Sequence, residues 1–164
     1  MGLSRIVPHL FAEQSMRRHF PARVLDAIQH AVAQGEAGHD GQVCFAIEGA
    51  LRLGSLFKNI TPRQRAEDVF AHLRVWDTQN NSGVLIYVLL AEHAIEIVAD
   101  RGIAARVPAS EWESICIQMQ KRFAAAEFEQ GAVEGVAAVS AVLAGHFPAT
   151  GGKKNELQDR PVLL

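Results

Sequence analysis

Two short polar stretches hold most of the residues in this chain whose types and spacing suit chemistry. One is Asp77-Thr78-Gln79-Asn80-Asn81-Ser82-Gly83 and the other is Asp100-Arg101-Gly102. Asp77, Asn80, Asn81 and Asp100 offer carboxylate and amide oxygens, the ligands that hard divalent cations such as calcium or magnesium take. Gly83 and Gly102 would let main-chain carbonyls approach closely, because glycine has no Cβ. Glu48 would join them if its strand ends at the same rim. A cation held there would polarise a phosphoryl oxygen or activate water, and Arg101 would steady a phosphate in bidentate fashion. Each residue also has a plainer reading. Asp77 would cap a turn, Asn81-Ser82-Gly83 would be turn chemistry, and Asp100-Arg101-Gly102 would end a strand with a surface ion pair.

The elements that must bring these stretches together are two apolar runs. Val84-Leu85-Ile86-Tyr87-Val88-Leu89-Leu90 has no polar relief and reads as a strand buried on both faces. Ala94 to Asp100 alternates, with Ile95, Ile97 and Ala99 on one face and Glu96, Val98 and Asp100 on the other. A two-residue loop at Glu92-His93 predicts a hairpin in which Ala91 faces Ala94, Leu85 faces Asp100 and Gly83 faces Gly102. Paired strands lie about 4.8 Å apart, so this hairpin would set both polar stretches at one end of the sheet. Loops at the ends of buried strands are where sites commonly form.

The rest of the chain reads as helices around that sheet. Pro21 suits a helix start, and Val24, Leu25, Ile28, Ala31 and Val32 follow a helical stripe. A Gly38-His39-Asp40-Gly41 turn leads into a first strand, Gln42 to Glu48. Thr61, Pro62 and Gln64 form a capping box ahead of the Ala66, Val69, Phe70, Leu73 face, and Ser110 with Glu113 predicts a second box. A last helix spans about Glu129 to Ala144, where Gly131 and Gly135 suggest close helix packing. The expected fold is α/β, a three-layer α/β/α sandwich with a small mixed sheet flanked by helices. Its parts would be an N-terminal extension (1–19) in which Ile6, Val7, Leu10 and Phe11 form a docking helix or an irregular cover, a domain (20–147), and a flexible tail with an apolar C-terminus (148–164).

Composition narrows the function classes. The 164 residues carry a formal net charge of −2, with 49% hydrophobic and 21% charged residues, so no electrostatic argument points to nucleic acid or anionic membrane. No apolar run approaches the ~20 residues of a membrane helix, and the N-terminus lacks a signal-peptide pattern, so a cytoplasmic location is expected. Cys44 and Cys116 are isolated and read as buried free thiols. No zinc-ligand histidine spacing or nucleophile elbow occurs, and Gly151-Gly152-Lys153-Lys154 is not a phosphate loop.

The sequence resembles the TPM-domain family, which includes plant thylakoid-lumen acid phosphatases and secreted bacterial proteins. Val69-Phe70-Ala71-His72-Leu73, Trp76-Asp77, Asn81-Ser82-Gly83-Val84-Leu85-Ile86, Glu96 through Ile103, and Phe128-Glu129-Gln130-Gly131 carry the resemblance, over roughly residues 40–145. It implies a three-layer sandwich, divalent-cation sites at one end of the sheet and, for some members, weak phosphomonoesterase activity. The chain departs from the family at Asn80, where many members have an aspartate, and in having Ser82 between Asn81 and Gly83. Two functions follow as expectations. The first is a cation-binding interaction or regulatory module linked to membrane-protein maintenance, with Asp77, Asn80, Asn81 and Asp100 on the metal. The second is a weak metal-dependent acid phosphatase using Asp100 and Arg101. A protein partner would be met through the tail, whose Pro161-Val162-Leu163-Leu164 end suits a groove on that partner or on its own domain; a disordered tail is the alternative.

Overall fold

The computed structural model describes residues 12–51 and 58–164. Ile6, Val7, Leu10 and Phe11, and the connecting residues Leu53, Leu56 and Phe57, lie outside the described residues. Helix α1 (Ala12–His19) and helix α2 (Ala22–Glu36) precede strand β1 (Gln42–Glu48). Helix α3 (Pro62–His72) leads to the hairpin, strands β2 (Gly83–Leu89) and β3 (Ala94–Ala99) joined through a 3-10 turn, Leu90–Glu92. A single turn α4 (Arg101–Ala104), two long helices α5 (Ala109–Ala124) and α6 (Phe128–His146), and a two-residue strand β4 (Val162–Leu163) complete the chain.

The four strands lie in the order β3-β2-β1-β4, with β2–β3 antiparallel and β1 parallel to both β2 and β4. Both faces are covered, as the unbroken burial of β1 and β2 requires. Val43, Phe45, Ile47, Val84, Ile86 and Val88 pack with residues of α2, α5 and α6. Cys44, Ala46, Leu85, Tyr87 and Val98 pack on the other side with Ala66 and Val69 of α3. This is the expected three-layer sandwich.

Local signals hold well at α3. Thr61 accepts from the Gln64 N–H, and the Gln64 side chain returns to the Thr61 N–H, closing the box. The second box does not form. Pro108, already extended at φ −68° and ψ 147°, takes the cap position, and α5 begins at Ala109. Gly135 lets α6 close on α5, since a Cβ there would lie 2.3 Å from the Met119 sulfur. The hairpin register differs from the two-residue-loop expectation by two positions: Val84 faces Ala99 and Leu85 faces Val98. Glu92-His93 lacks the residues a type I′ turn needs. The chain turns instead through Leu90–Glu92, with His93 left-handed at φ 50°. An even shift leaves every side chain on its expected face.

The tail is tied along the domain. Buried Gln42 accepts from the Glu156 and Leu157 N–H groups and donates to the Lys154 carbonyl. The Lys153 ammonium enters a pocket of acceptors, 2.7 Å from Gly41 O and 3.1 Å from the buried Glu36 carboxylate. Beyond it β4 pairs with Ala46 and Ile47, and the Leu164 N–H donates to Ile47 O at 2.9 Å.

Candidate functional site

The end of the sheet where β1 and β2 begin is also where β3 ends, and both polar stretches meet there. Gln42 faces Gly83, and the Asp100 N–H donates to Gly83 O at 2.8 Å. The loop before β2 folds on itself. Buried Thr78 accepts from the Ser82 N–H through its hydroxyl (2.9 Å) and from the Asn81 N–H through its carbonyl (3.2 Å), with Asn81 left-handed at φ 50°. The Gly102 N–H then donates to Asn81 O at 3.1 Å. A Cβ on residue 102 would lie 2.6 Å from Asn81 O and 2.9 Å from Asn80 O, so only glycine permits this approach. At Gly83 a Cβ would strike Val75 O at 2.0 Å, which fixes the second glycine for the same reason.

Asp100 caps α4. Its Oδ1 accepts from the Arg101 N–H at 2.7 Å, while its main-chain carbonyl accepts from Ile103 and Ala104. Its Oδ2 is buried without a hydrogen-bond partner, although the residue is only 8% exposed. An unpaired buried carboxylate oxygen is costly, so it marks a position that invites a cationic or donor ligand. Arg101 does not fill it. Its Nε and Nη2 both donate to Asn81 Oδ1, at 3.0 and 2.8 Å.

Asn80 lines a cleft of about 420 Å³ beside this rim, together with Asp40, Ser82, Gly102, Arg106, His146 and Thr150. Asp77 does not line that cleft. It is exposed and paired with Arg74, at 2.5 Å, on the surface of the loop. Glu48 lies at the opposite end of β1, facing Leu89. There Arg65 grips it with two bonds of 2.8 and 2.9 Å, and the Tyr87 hydroxyl donates to it at 2.6 Å. Burial and the adjoining Glu48 carboxylate push the Tyr87 phenol up. Glu48 therefore belongs to a buried structural network.

Asp40, rather than Glu48, is the further carboxylate at the rim. Its carboxylate accepts from the Thr150 hydroxyl (2.6 Å) and N–H (3.1 Å), and these bonds hold it below the usual carboxylate range. The sequence signal was the glycine-flanked turn just ahead of β1, which looks like plain turn chemistry. Behind it His39 is almost fully buried, with both ring nitrogens unpartnered, and burial pushes its pKa down to about 4.

Among the described residues no three His, Cys, Asp or Glu side chains form a metal-binding group. A cation at this rim would depend on Asp100 with the amide and main-chain carbonyls of Asn80 and Asn81. That donor set is all oxygen and suits a hard cation. A larger cleft, about 550 Å³, follows the free edge of β3 between Arg63, Glu96, Trp112 and Cys116. Its lining runs on to Ala99 and Ala104, beside the rim, and Arg63 on its wall donates to Ile97 O at 2.7 Å. Both thiols are free, and burial pushes each up to about 12, which disfavours the thiolate form.

Comparison with known proteins follows the fold. The family model of the TPM domain (TPM_phosphatase) matches residues 20–142. The NMR structure of the BA42 protein from the psychrophilic bacterium Bizionia argentinensis is similar at 27% identity, with a TM-score of 0.75 over 87% of this chain and 94% of that one. The N-terminal domain of a P. gingivalis protein, also solved by NMR, is 18% identical with a TM-score of 0.57 over 72% of each chain, a likeness of fold. No curated protein matches the chain.

Proposed function

This chain belongs to the TPM-domain family, and we propose that it is a divalent-cation-binding module, with the cation held at the rim of Asn80, Asn81 and Asp100. The observation that carries the reading is the buried, unpartnered Oδ2 of Asp100 beside a loop whose carbonyls crowd Gly102. The irregular, carbonyl-rich set favours calcium, which accepts six to eight oxygens in flexible geometry, over magnesium, which demands a near-octahedral shell. With one carboxylate in reach, affinity falls in the weak range of roughly 10⁻⁴–10⁻³ M. Asp77 is left out of the ligand set because Arg74 engages it. A cation bound here ties the 77–82 loop to the start of α4, which is how occupancy would be felt by a protein partner.

The partner's link to membrane-protein maintenance rests on the family resemblance alone. No helix of the described residues is long and apolar enough to cross a membrane. Two free thiols agree with a reducing compartment such as the cytoplasm. Phosphomonoester hydrolysis is the second reading. Arg106 and His146 line the same cleft as Asn80 and Gly102, which supports a phosphate-sized anion there beside the cation.

Thermal melts with and without calcium test the first reading. Asp100→Asn is the informative variant, because Asn caps a helix as well as Asp while losing the charge. Calcium should raise the wild-type Tm and leave the variant unmoved. Equal shifts in both proteins would overturn the assignment. Cation-dependent turnover of an aryl phosphate, lost in Asp100→Asn, would support the second reading.

A further inference from the structure

We propose that Arg101 is a built-in counter-cation, occupying the amide oxygen of Asn81 until a divalent cation displaces it. This rests on the cation reading above and adds its regulation.

Arg65, Arg122 and Arg160 are each bound to a carboxylate. Arg101 instead converges two donors on one neutral oxygen, Asn81 Oδ1, at 3.0 and 2.8 Å. It does so although the residue before it holds a free carboxylate oxygen. The guanidinium is exposed, so leaving Asn81 returns it to water without a burial penalty. The main chain that carries this side chain does not depend on Arg101 for position. Gly102 holds the Asn81 carbonyl at 3.1 Å, and Thr78 O accepts the Asn81 N–H at 3.2 Å.

Calcium sits 2.3–2.6 Å from its oxygen ligands. A guanidinium nitrogen already lies about as close as a hydrogen bond allows to that same oxygen. Both together would put like charges in contact, so the two states exclude each other. The protein with Arg101 on Asn81 does not offer this ligand, and apparent affinity falls by the fraction of molecules in which it is free. If Arg101 is engaged in nine molecules of ten, removing its charge tightens calcium binding about tenfold.

Calorimetric titration of calcium into the wild type and Arg101→Gln, at constant ionic strength, tests this. The expected result is a three- to tenfold tighter Kd in Arg101→Gln. Arg106→Gln removes a neighbouring positive charge that does not touch Asn81, and should gain less than twofold. A second readout needs no variant: the Arg101 Nε–H resonance of the wild type should shift and lose exchange protection as calcium saturates. Equal or weaker binding by Arg101→Gln, an equal gain in Arg106→Gln, or an unmoved Arg101 signal would overturn the latch and leave the cation site standing. Absence of calcium binding in every protein would overturn both.

Discussion

Replacing Lys153 by Met removes the ammonium that fixes the C-terminal segment to the domain, and the cost can be worked from its surroundings. Nζ lies 2.7 Å from Gly41 O, 3.1 Å from Glu36 Oε2, and 3.3 Å from the carbonyls of Glu36 and His39. The Glu36 side chain is 7% exposed and that of Lys153 is 18% exposed. Removing one partner of a buried pair strands the other charge, at about 3–5 kcal/mol. Glu36 keeps its 2.6 Å bond from the Val43 N–H, and some water reaches Lys153, so the lower end, about 3 kcal/mol, applies. For a domain of this size that is a fall in Tm of roughly 6–12 °C. The defect depends on pH. Burial already raises the Glu36 carboxyl above its ordinary value, and loss of the ammonium raises it further. A raised carboxylate costs stability as pH climbs from its unfolded value through its folded one, and that cost vanishes on acidification. Urea unfolding at pH 7.5 and pH 5 should therefore show the larger loss at pH 7.5, with most of it recovered by adding Glu36→Gln. Exchange protection of the Leu164 N–H should fall in parallel. A Lys153→Met protein within about 0.5 kcal/mol of the wild type at both pH values would refute the reasoning, since that is the range of an ordinary surface change.

Three further outcomes are expected. Gly102→Ala forces a Cβ to within 2.6 Å of Asn81 O, so it should cost about 1–3 kcal/mol in urea unfolding and abolish calcium-induced stabilisation. His39 is held neutral with a pKa of about 4, below its unfolded value of 6.5, so stability present above pH 6.5 is lost as pH falls towards 4. The loss reaches about 3 kcal/mol at most, and a pH series of unfolding curves should be flatter in that window for His39→Leu. Arg63→Ala frees the Ile97 carbonyl at the β3 edge. Its pairs with Glu67 and Glu96 are both partly exposed and cost about 1 kcal/mol or less to lose, so Tm should fall only slightly, while size-exclusion chromatography shows concentration-dependent association.

What the sequence revealed divides along the range of the interactions involved. The α3 capping box is closed within four residues, and its signal survives intact. The faces of β3 were legible because alternation has a period of two, and the unbroken apolar run of β2 was legible as a strand covered on both sides. The register was not, because it depended on whether Glu92-His93 could make a tight turn. The even slip still delivered Asn81, Gly83, Asp100 and Gly102 to one rim, with Gly83 meeting Asp100 rather than Gly102. Glu48 stayed conditional because strand direction cannot be read from a strand's own residues. β1 runs parallel to β2, which carries Glu48 to the far end. Asp40 was passed over because its partner, Thr150, lies 110 residues away in sequence. The strand at Val162–Leu163 is equally invisible, since a buried glutamine and a buried ammonium, rather than any local pattern, hold it in place. The Ser110–Glu113 box failed because Pro108 pre-empted its start.

The cation at the rim is the central claim, and a calcium titration followed by amide resonances tests it residue by residue. Saturable shifts should centre on Asn80, Asn81, Arg101 and Gly102, spare the Glu48 region at the far end of β1, and disappear in Asp100→Asn. Shifts centred elsewhere, or a titration that survives Asp100→Asn unchanged, would contradict the account.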